Sequence, residues 1–312
     1  MPALMTHHIF GEKAVRTLDD GLVEGQEELL SYLIGCQGPD PFFFRASLSG
    51  SARELHALAS DMHCRHVIGT FQALVRGIDR LPKPDQRIGR AYALGFLAHY
   101  ALDSYAHPFI YAQQFALCEA GRSLGIADAG DEVHGVIESQ LDSWMVWNER
   151  HATVMEYAPA DELVLPERTA VAGGALMAYV ARSVFRRDIG EGSLRRCVAD
   201  MRFVYRMVEP YGSKRCERVG LLERLVRGGG YSRLAALAHE VVRDDGCPAA
   251  NLAHEPWEDP CTGEVSQKGF YDLFADALAA YPAMARAFLE GHVEGSFGDI
   301  DFDGRPLGPD RL

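Results

Sequence analysis

Between Ala91 and Ile110 the chain carries an apolar run that also holds three metal-ligand side chains, and nothing else in the sequence constrains the fold as tightly. His99, Asp103 and His107 are spaced i, i+4, i+8. A helix advances about 100° per residue, so each step of four drifts only about 40° and the three side chains share one stripe. Their neighbours Leu94, Phe96, Leu97, Leu102, Phe109 and Ile110 predict an interior helix. Buried polar groups need partners, and two imidazoles with a carboxylate between them match a divalent cation. The alternative is a helix with three separately hydrogen-bonded polar residues. A second stretch, Val133 to Asp142, repeats the spacing with His134, Glu138 and Asp142 on one face and Val133, Ile137 and Leu141 beside it. Two such helices packed together would offer His and carboxylate ligands to two or more ions from opposite walls of a cleft.

The remaining sequence bounds the class. With 312 residues, 47% of them hydrophobic, the chain can bury a substantial core, and no composition break divides it. The net charge of −13 argues against duplex nucleic acid as a partner, because phosphate contacts need a basic surface; a small anionic substrate held by metals stays compatible. The first ten residues lack a basic segment followed by an apolar one, and no uncharged apolar run reaches the roughly 18 residues of a spanning helix. Seven scattered cysteines without a CxxC pair read as reduced thiols. A cytoplasmic location is the expectation.

Read in order, the chain predicts an all-α protein. Thr6 is the expected N-cap of a helix over 9–18, and a second helix covers 24–34. Asp40, between Pro39 and Pro41 and followed by three phenylalanines, is expected in a fixed extended conformation. A helix over 51–80 carries His56, His63 and His66 as candidate ligands. The central helix spans about 87–121 with a kink expected at Pro108. The His134 helix runs to about Glu149, and others cover 170–185, 194–208, 218–225 and 270–289. Residues 1–294 are read as one multi-helix domain, and 295–312 as a polar tail with little to bury.

Thr6-His7-His8-Ile9-Phe10-Gly11, Gly38-Pro39-Asp40-Pro41-Phe42-Phe43, Met62-His63, Gly95 to Asp103 with His107-Pro108, and His134-xxx-Glu138-xxx-Asp142 occur in this order. In that order they resemble the bacterial zinc-dependent phospholipase C family, which shares its all-α fold with P1-type nucleases. A weaker similarity extends to Asn251 to Trp257. The resemblance implies a site of up to three zinc ions. Asp40, His63, His99 and Asp103 would hold one, and His107, His134 and Glu138 a second. His7 would serve a third, with Asp103 bridging. His7 is preferred to His8, and His63 to His66, from the residues that flank the ligands in that family. Secreted members also use their mature N-terminal amine on the third ion; here six residues precede His7, and removal of Met1 would leave Pro2.

Nitrogen and carboxylate donors without thiolates suit zinc, and manganese or iron as well. Such a site fits hydrolysis of a phosphodiester, with Asp40 as both ligand and general base and Asp142 orienting a ligand imidazole. The expected substrate is a phospholipid headgroup or a small soluble phosphodiester, with peripheral membrane contact. A single-strand nuclease or nucleotidase of the same fold, and a non-enzymatic metal-binding protein, are the alternatives. Arginines concentrated between Arg182 and Arg227 read as a solvated helix face or as a patch for lipid headgroups or a phosphorylated substrate.

Overall fold

A computed structural model describes residues 3–46, 50–124, 126–297 and 299–308. The protein is mostly helical. In chain order the helices are α1 (Leu4–Ala14), α2 (Gly25–Gly35), α3 (Ala52–Cys64), α4 (Val67–Arg80), α5 (Gln86–Ala120) and α6 (Gly130–Arg150). They continue with α7 (Pro159–Glu162), α8 (Glu167–Ser183), α9 (Ser193–Val208), α10 (Lys214–Arg227), α11 (Arg233–Ala236) and α12 (Phe270–Leu289). A small antiparallel hairpin pairs β1 (Trp257–Glu258) with β2 (Val265–Ser266). Among the described residues no helix is long and apolar enough to cross a membrane.

The chain forms two compact units. The first consists of Met1–Ile9, Ala106–Glu162 and Arg202–Leu273; the second of Phe10–Tyr105, Leu163–Met201 and Phe274–Leu312.

In the second unit the apolar stripe of α4 packs on α8, where the missing side chain of Gly77 leaves room for Leu176 and Tyr179. Helices α2 and α5 approach through glycines. A Cβ at Gly35 would fall onto the Tyr92 carbonyl, and one at Gly95 onto the Tyr32 carbonyl. Phe71 centres an aromatic cluster with Phe96, Tyr100, Phe288, Phe297 and Phe302. Phe297 and Phe302 are fully buried, which corrects the expectation of little burial beyond residue 294. That stretch is polar in composition, but its two aromatics enter the core, and Tyr100 donates its hydroxyl to the Phe297 and Ile300 carbonyls.

The helix expected over 51–80 is two helices. His66 takes a left-handed conformation (φ 53°) between α3 and α4, with no glycine or proline to announce the break. Asp40 is not extended: it opens a short 3-10 helix, Asp40–Phe44. Amide bonds from Gly38 to Gly35 (2.8 Å), Asp40 to Gln37 (3.1 Å) and Phe42 to Pro39 (3.0 Å) form successive turns, and Pro41 sits where a helix start needs no N–H. Pro108 is accommodated inside α5, which continues to Ala120.

In the first unit, α6 packs against α11 and the 248–250 turn, and α10 against α11. Trp144 donates to the Asp245 carbonyl (2.9 Å) and Gln113 to the Ala249 carbonyl (2.9 Å). Thr6, the expected cap of α1, lies inside that helix. The cap is instead Asp142 of α6, whose two carboxylate oxygens accept the Met5 and Thr6 amides at 2.8 Å each. A carboxylate there meets both the unpaired N–H groups and the positive end of the helix dipole.

Candidate metal centres

The second unit gathers Asp40, His63, His99 and Asp103 from three segments. His63 comes from the last turn of α3, His99 and Asp103 from successive turns of α5, and Asp40 from the start of the 3-10 helix that packs on α3. His63 Nε2 lies 3.2 Å from Asp40 Oδ1 and 3.9 Å from Asp103 Oδ2. His99 Nε2 lies 3.0 Å from Asp103 Oδ2 and 3.9 Å from Asp40 Oδ2. His63, His99 and Asp103 each offer a ligand atom within 4.8 Å of the others, a spacing that could hold a metal ion.

Both imidazoles are aimed by their far nitrogens. His63 Nδ1 is 2.8 Å from the Ala59 carbonyl and His99 Nδ1 3.1 Å from the Cys36 carbonyl, so each Nδ1 carries the proton and each Nε2 lone pair faces the carboxylates. Gly38 (φ 51°) makes the His99 position available, because a Cβ there would occupy the imidazole ring. Phe302 packs on both imidazoles, at 5.1 Å from the His63 ring and 5.8 Å from the His99 ring, and Phe43 lies 5.6 Å from His63. Burial pushes the Asp40 carboxyl up, but His99 and His63 more than offset it and hold it below the usual carboxylate range. For His63, burial pulls down and Asp40 and Asp103 push up; the imidazole ends above its ordinary value.

The first unit builds a second group from two helices only. His107 of α5 and His134 and Glu138 of α6 bring their ligand atoms within 4.8 Å of one another. Glu138 Oε1 is 3.2 Å from His134 Nε2 and 3.7 Å from His107 Nε2, and the two rings are 5.5 Å apart. The expected pairing of these ligand faces is therefore present. His134 Nδ1 is held at 2.9 Å by Gln114 Oε1, and the Tyr111 ring lies 5.1 Å from His134 and 5.7 Å from His107. Burial, helped by His107, lowers the His134 pKa and favours the neutral form that binds metal. Glu138 is held well below the usual carboxylate range against the opposing effect of burial, with His134 and His107 among the groups that lower it.

His7 is buried on α1, in the first unit. The N-terminal amine expected near it falls on residues 1–2, outside the described residues. His8 is paired with Glu162 at 3.0 Å. His66 packs its ring against Phe185 and His56 bonds the Arg45 carbonyl, so neither joins the His63 group. The Asn251 to Trp257 segment forms an exposed turn, with the Asn251 side chain bonded to the Glu255 backbone.

Asp142 does not orient a ligand imidazole. Besides capping α1 it accepts from His239 Nε2 (2.9 Å), and His239 Nδ1 pairs with Glu209. Burial lowers the His239 pKa, but Glu209 and Asp142 override it and push it up to about 10, so an imidazolium lies between two carboxylates. The orienting role falls to Gln114 and to two backbone carbonyls. Gln114 was legible: it sits at i+7 from His107, on the same face of α5. The His239 to Glu209 pairing had no sequence signal.

Some of the basic residues between Arg182 and Arg227 meet carboxylates: Arg182 pairs with Asp188, Arg187 with Asp61, Arg195 with Glu167, Arg202 and Arg206 with Asp161, and Arg227 with Glu132.

The donors fit a divalent ion: histidine nitrogens and carboxylate oxygens, buried, with imidazoles locked in the ligating tautomer. No family model, curated protein or solved structure matches the chain.

Proposed function

We propose that this protein is a metal-dependent phosphodiester hydrolase of the phospholipase C type, with zinc, or alternatively manganese or iron, held by the two groups of ligands. The observation that carries the reading is Asp40, a buried carboxylate 3.2 Å from His63 Nε2 in a group that also contains His99 and Asp103. Asp40 lies beside His63, His99 and Asp103, whose ligand atoms cluster, and, kept ionised by its histidine neighbours, it provides a proton acceptor. When bound, a divalent ion supplies positive charge that offsets a phosphodiester's negative charge and makes water a better nucleophile at neutral pH.

The chain's own residues do the rest of the work in this reading. His63 holds Asp40 in place, and the Ala59 and Cys36 carbonyls fix the imidazoles so that donor atoms need no reorganisation. Phe302 and Phe43 pack their rings against His63 and limit its freedom to move. His107, His134 and Glu138, in the first unit, form a separate group that could hold a cation. The substrate class is a phospholipid headgroup or a small soluble phosphodiester, in keeping with the acidic chain.

The test loads the protein with zinc, manganese or iron, counts the metal by elemental analysis, and assays phosphatidylcholine, single-stranded DNA and a chromogenic phosphodiester with and without chelator. Chelator-sensitive hydrolysis of phosphatidylcholine or the chromogenic substrate is expected. Exclusive action on single-stranded DNA would assign the nuclease alternative. No hydrolysis at full metal loading would leave a non-enzymatic metal-binding protein.

A further inference from the structure

Helix α10 buries one stripe and exposes the opposite one. Cys216, Gly220, Glu223 and Arg227, at i, i+4, i+7 and i+11, face inward. There Glu223 accepts from Ser232 and the Leu234 amide, and Arg227 reaches Glu132. On the other side Leu221, Leu222 and Leu225 are 51%, 63% and 70% exposed, and Val226 beside them 88%. A helix of this kind normally turns polar side chains to water, and clustered exposed leucines mark a surface that docks.

The charges say what it docks on. The helix carries five cationic side chains against two carboxylates, in a chain of net charge −13. Lys214, Arg218 and Arg224 are exposed and reach no carboxylate among the described residues, unlike the paired arginines of α8 and α9. Lys214 and Arg218, at i−11 and i−7 from Leu225, share its face. We propose that α10 is an interfacial helix that seats the protein on an anionic phospholipid bilayer. Leucines enter the acyl boundary while the long cationic stems reach outward to the phosphate plane. A second copy docking through the same face would set these cations against one another, which disfavours a symmetric dimer there. The proposal concerns adsorption alone and stands whether or not phospholipid is hydrolysed.

The test is co-sedimentation of the full-length protein, without added metal, with vesicles of phosphatidylcholine alone or containing about a third phosphatidylglycerol, at about 0.1 M salt. Binding to the anionic vesicles is expected, with little to the neutral ones. The triple variants Lys214→Gln/Arg218→Gln/Arg224→Gln and Leu221→Ser/Leu222→Ser/Leu225→Ser should each weaken it on the order of a hundredfold. Arg182→Ala, on α8, should not. Hydrogen exchange of the wild type, which needs no variant to fold, should slow in α10 when anionic vesicles are added. No adsorption, adsorption unchanged in both triple variants, or unchanged exchange in α10 would overturn the proposal. So would a wild-type dimer by sedimentation velocity that the leucine variant makes monomeric, since a second copy would then be the occupant.

Discussion

The two groups of ligands differ in how many pieces of chain each needs. His107, His134 and Glu138 come from two helices, and the spacing of one helix already pairs His134 with Glu138. Asp40, His63, His99 and Asp103 come from three segments, one of them a turn whose geometry is set by backbone bonds. Their supports differ too. His63 and His99 are aimed by main-chain carbonyls, which no substitution removes, whereas His134 is aimed by the side chain of Gln114. One centre is therefore fixed by the fold itself, and the other can be tuned by a single residue. Aromatic neighbours follow the same division: Phe302 and Phe43 beside one, Tyr111 beside the other.

The largest expected effect separates ligand from proton acceptor in the three-segment group. Asp40→Asn should keep the fold and much of the metal, because an amide oxygen still coordinates, yet lower hydrolysis by about 10²- to 10⁴-fold, the range of a lost general base. His99→Ala should lose metal as well as activity. Elemental analysis beside the assay distinguishes the two, and an Asp40→Asn protein that stays fully active with metal in place would remove Asp40 from the base role.

Stripping metal tests whether both groups contribute to stability. Chelation should lower the melting temperature by on the order of 10 °C, since ions that bind only the folded chain stabilise it by mass action. His99→Ala and His134→Ala should each abolish part of that difference. If one of them leaves the chelator-induced shift intact, its group holds no ion.

Next comes His239, which bears on the first unit alone. His239→Gln should destabilise by about 3–5 kcal/mol, because Asp142 and Glu209 would remain buried without their cation. The wild type should show the same dependence through pH. Folding raises the imidazole from its ordinary value of about 6.5 to about 10. The stabilisation is thus complete below about pH 6.5 and is lost as pH rises through about 10. Chemical denaturation from neutral to alkaline pH should show this loss in the wild type and a flatter profile in His239→Gln.

The smallest effect sharpens the comparison most. Gln114→Ala should weaken metal binding at one group by about 10- to 100-fold while leaving the other unchanged. Competition titration against a fluorescent chelator should then resolve a weakened class of sites beside an unaltered one. Equal weakening of both would mean that the support of the two groups is shared.

Helices α5 and α6 and the five ligands they carry were legible because burial and ligation share one period, with His99, Asp103 and His107 falling on one stripe of a helix. What escaped depends on partners distant in sequence. Thr6 looked like a cap because its residue type suits one, but Asp142, 136 residues away, supplies the oxygen. Flanking prolines pointed Asp40 toward an extended chain, yet the amide bonds from Gly38 and Phe42 close turns around it. His66 breaks a helix with no residue that usually does so. Phe302, within a glycine- and aspartate-rich stretch, gave no sign that it would lie against two imidazoles.

The glycine contact between α2 and α5 has a consequence for how substitutions across the chain would score. Gly95 lies one helical turn before His99, and Gly35 adjoins Cys36, whose carbonyl aims that imidazole. Even alanine at either position would drive a methyl group into a main-chain carbonyl that cannot yield, so the two helices would have to separate. In a saturation screen for activity, these positions should therefore tolerate as little as the ligands themselves, although neither has a side chain to lose. A map of intolerance would draw the centre larger than its chemistry, with two silent glycines inside its border.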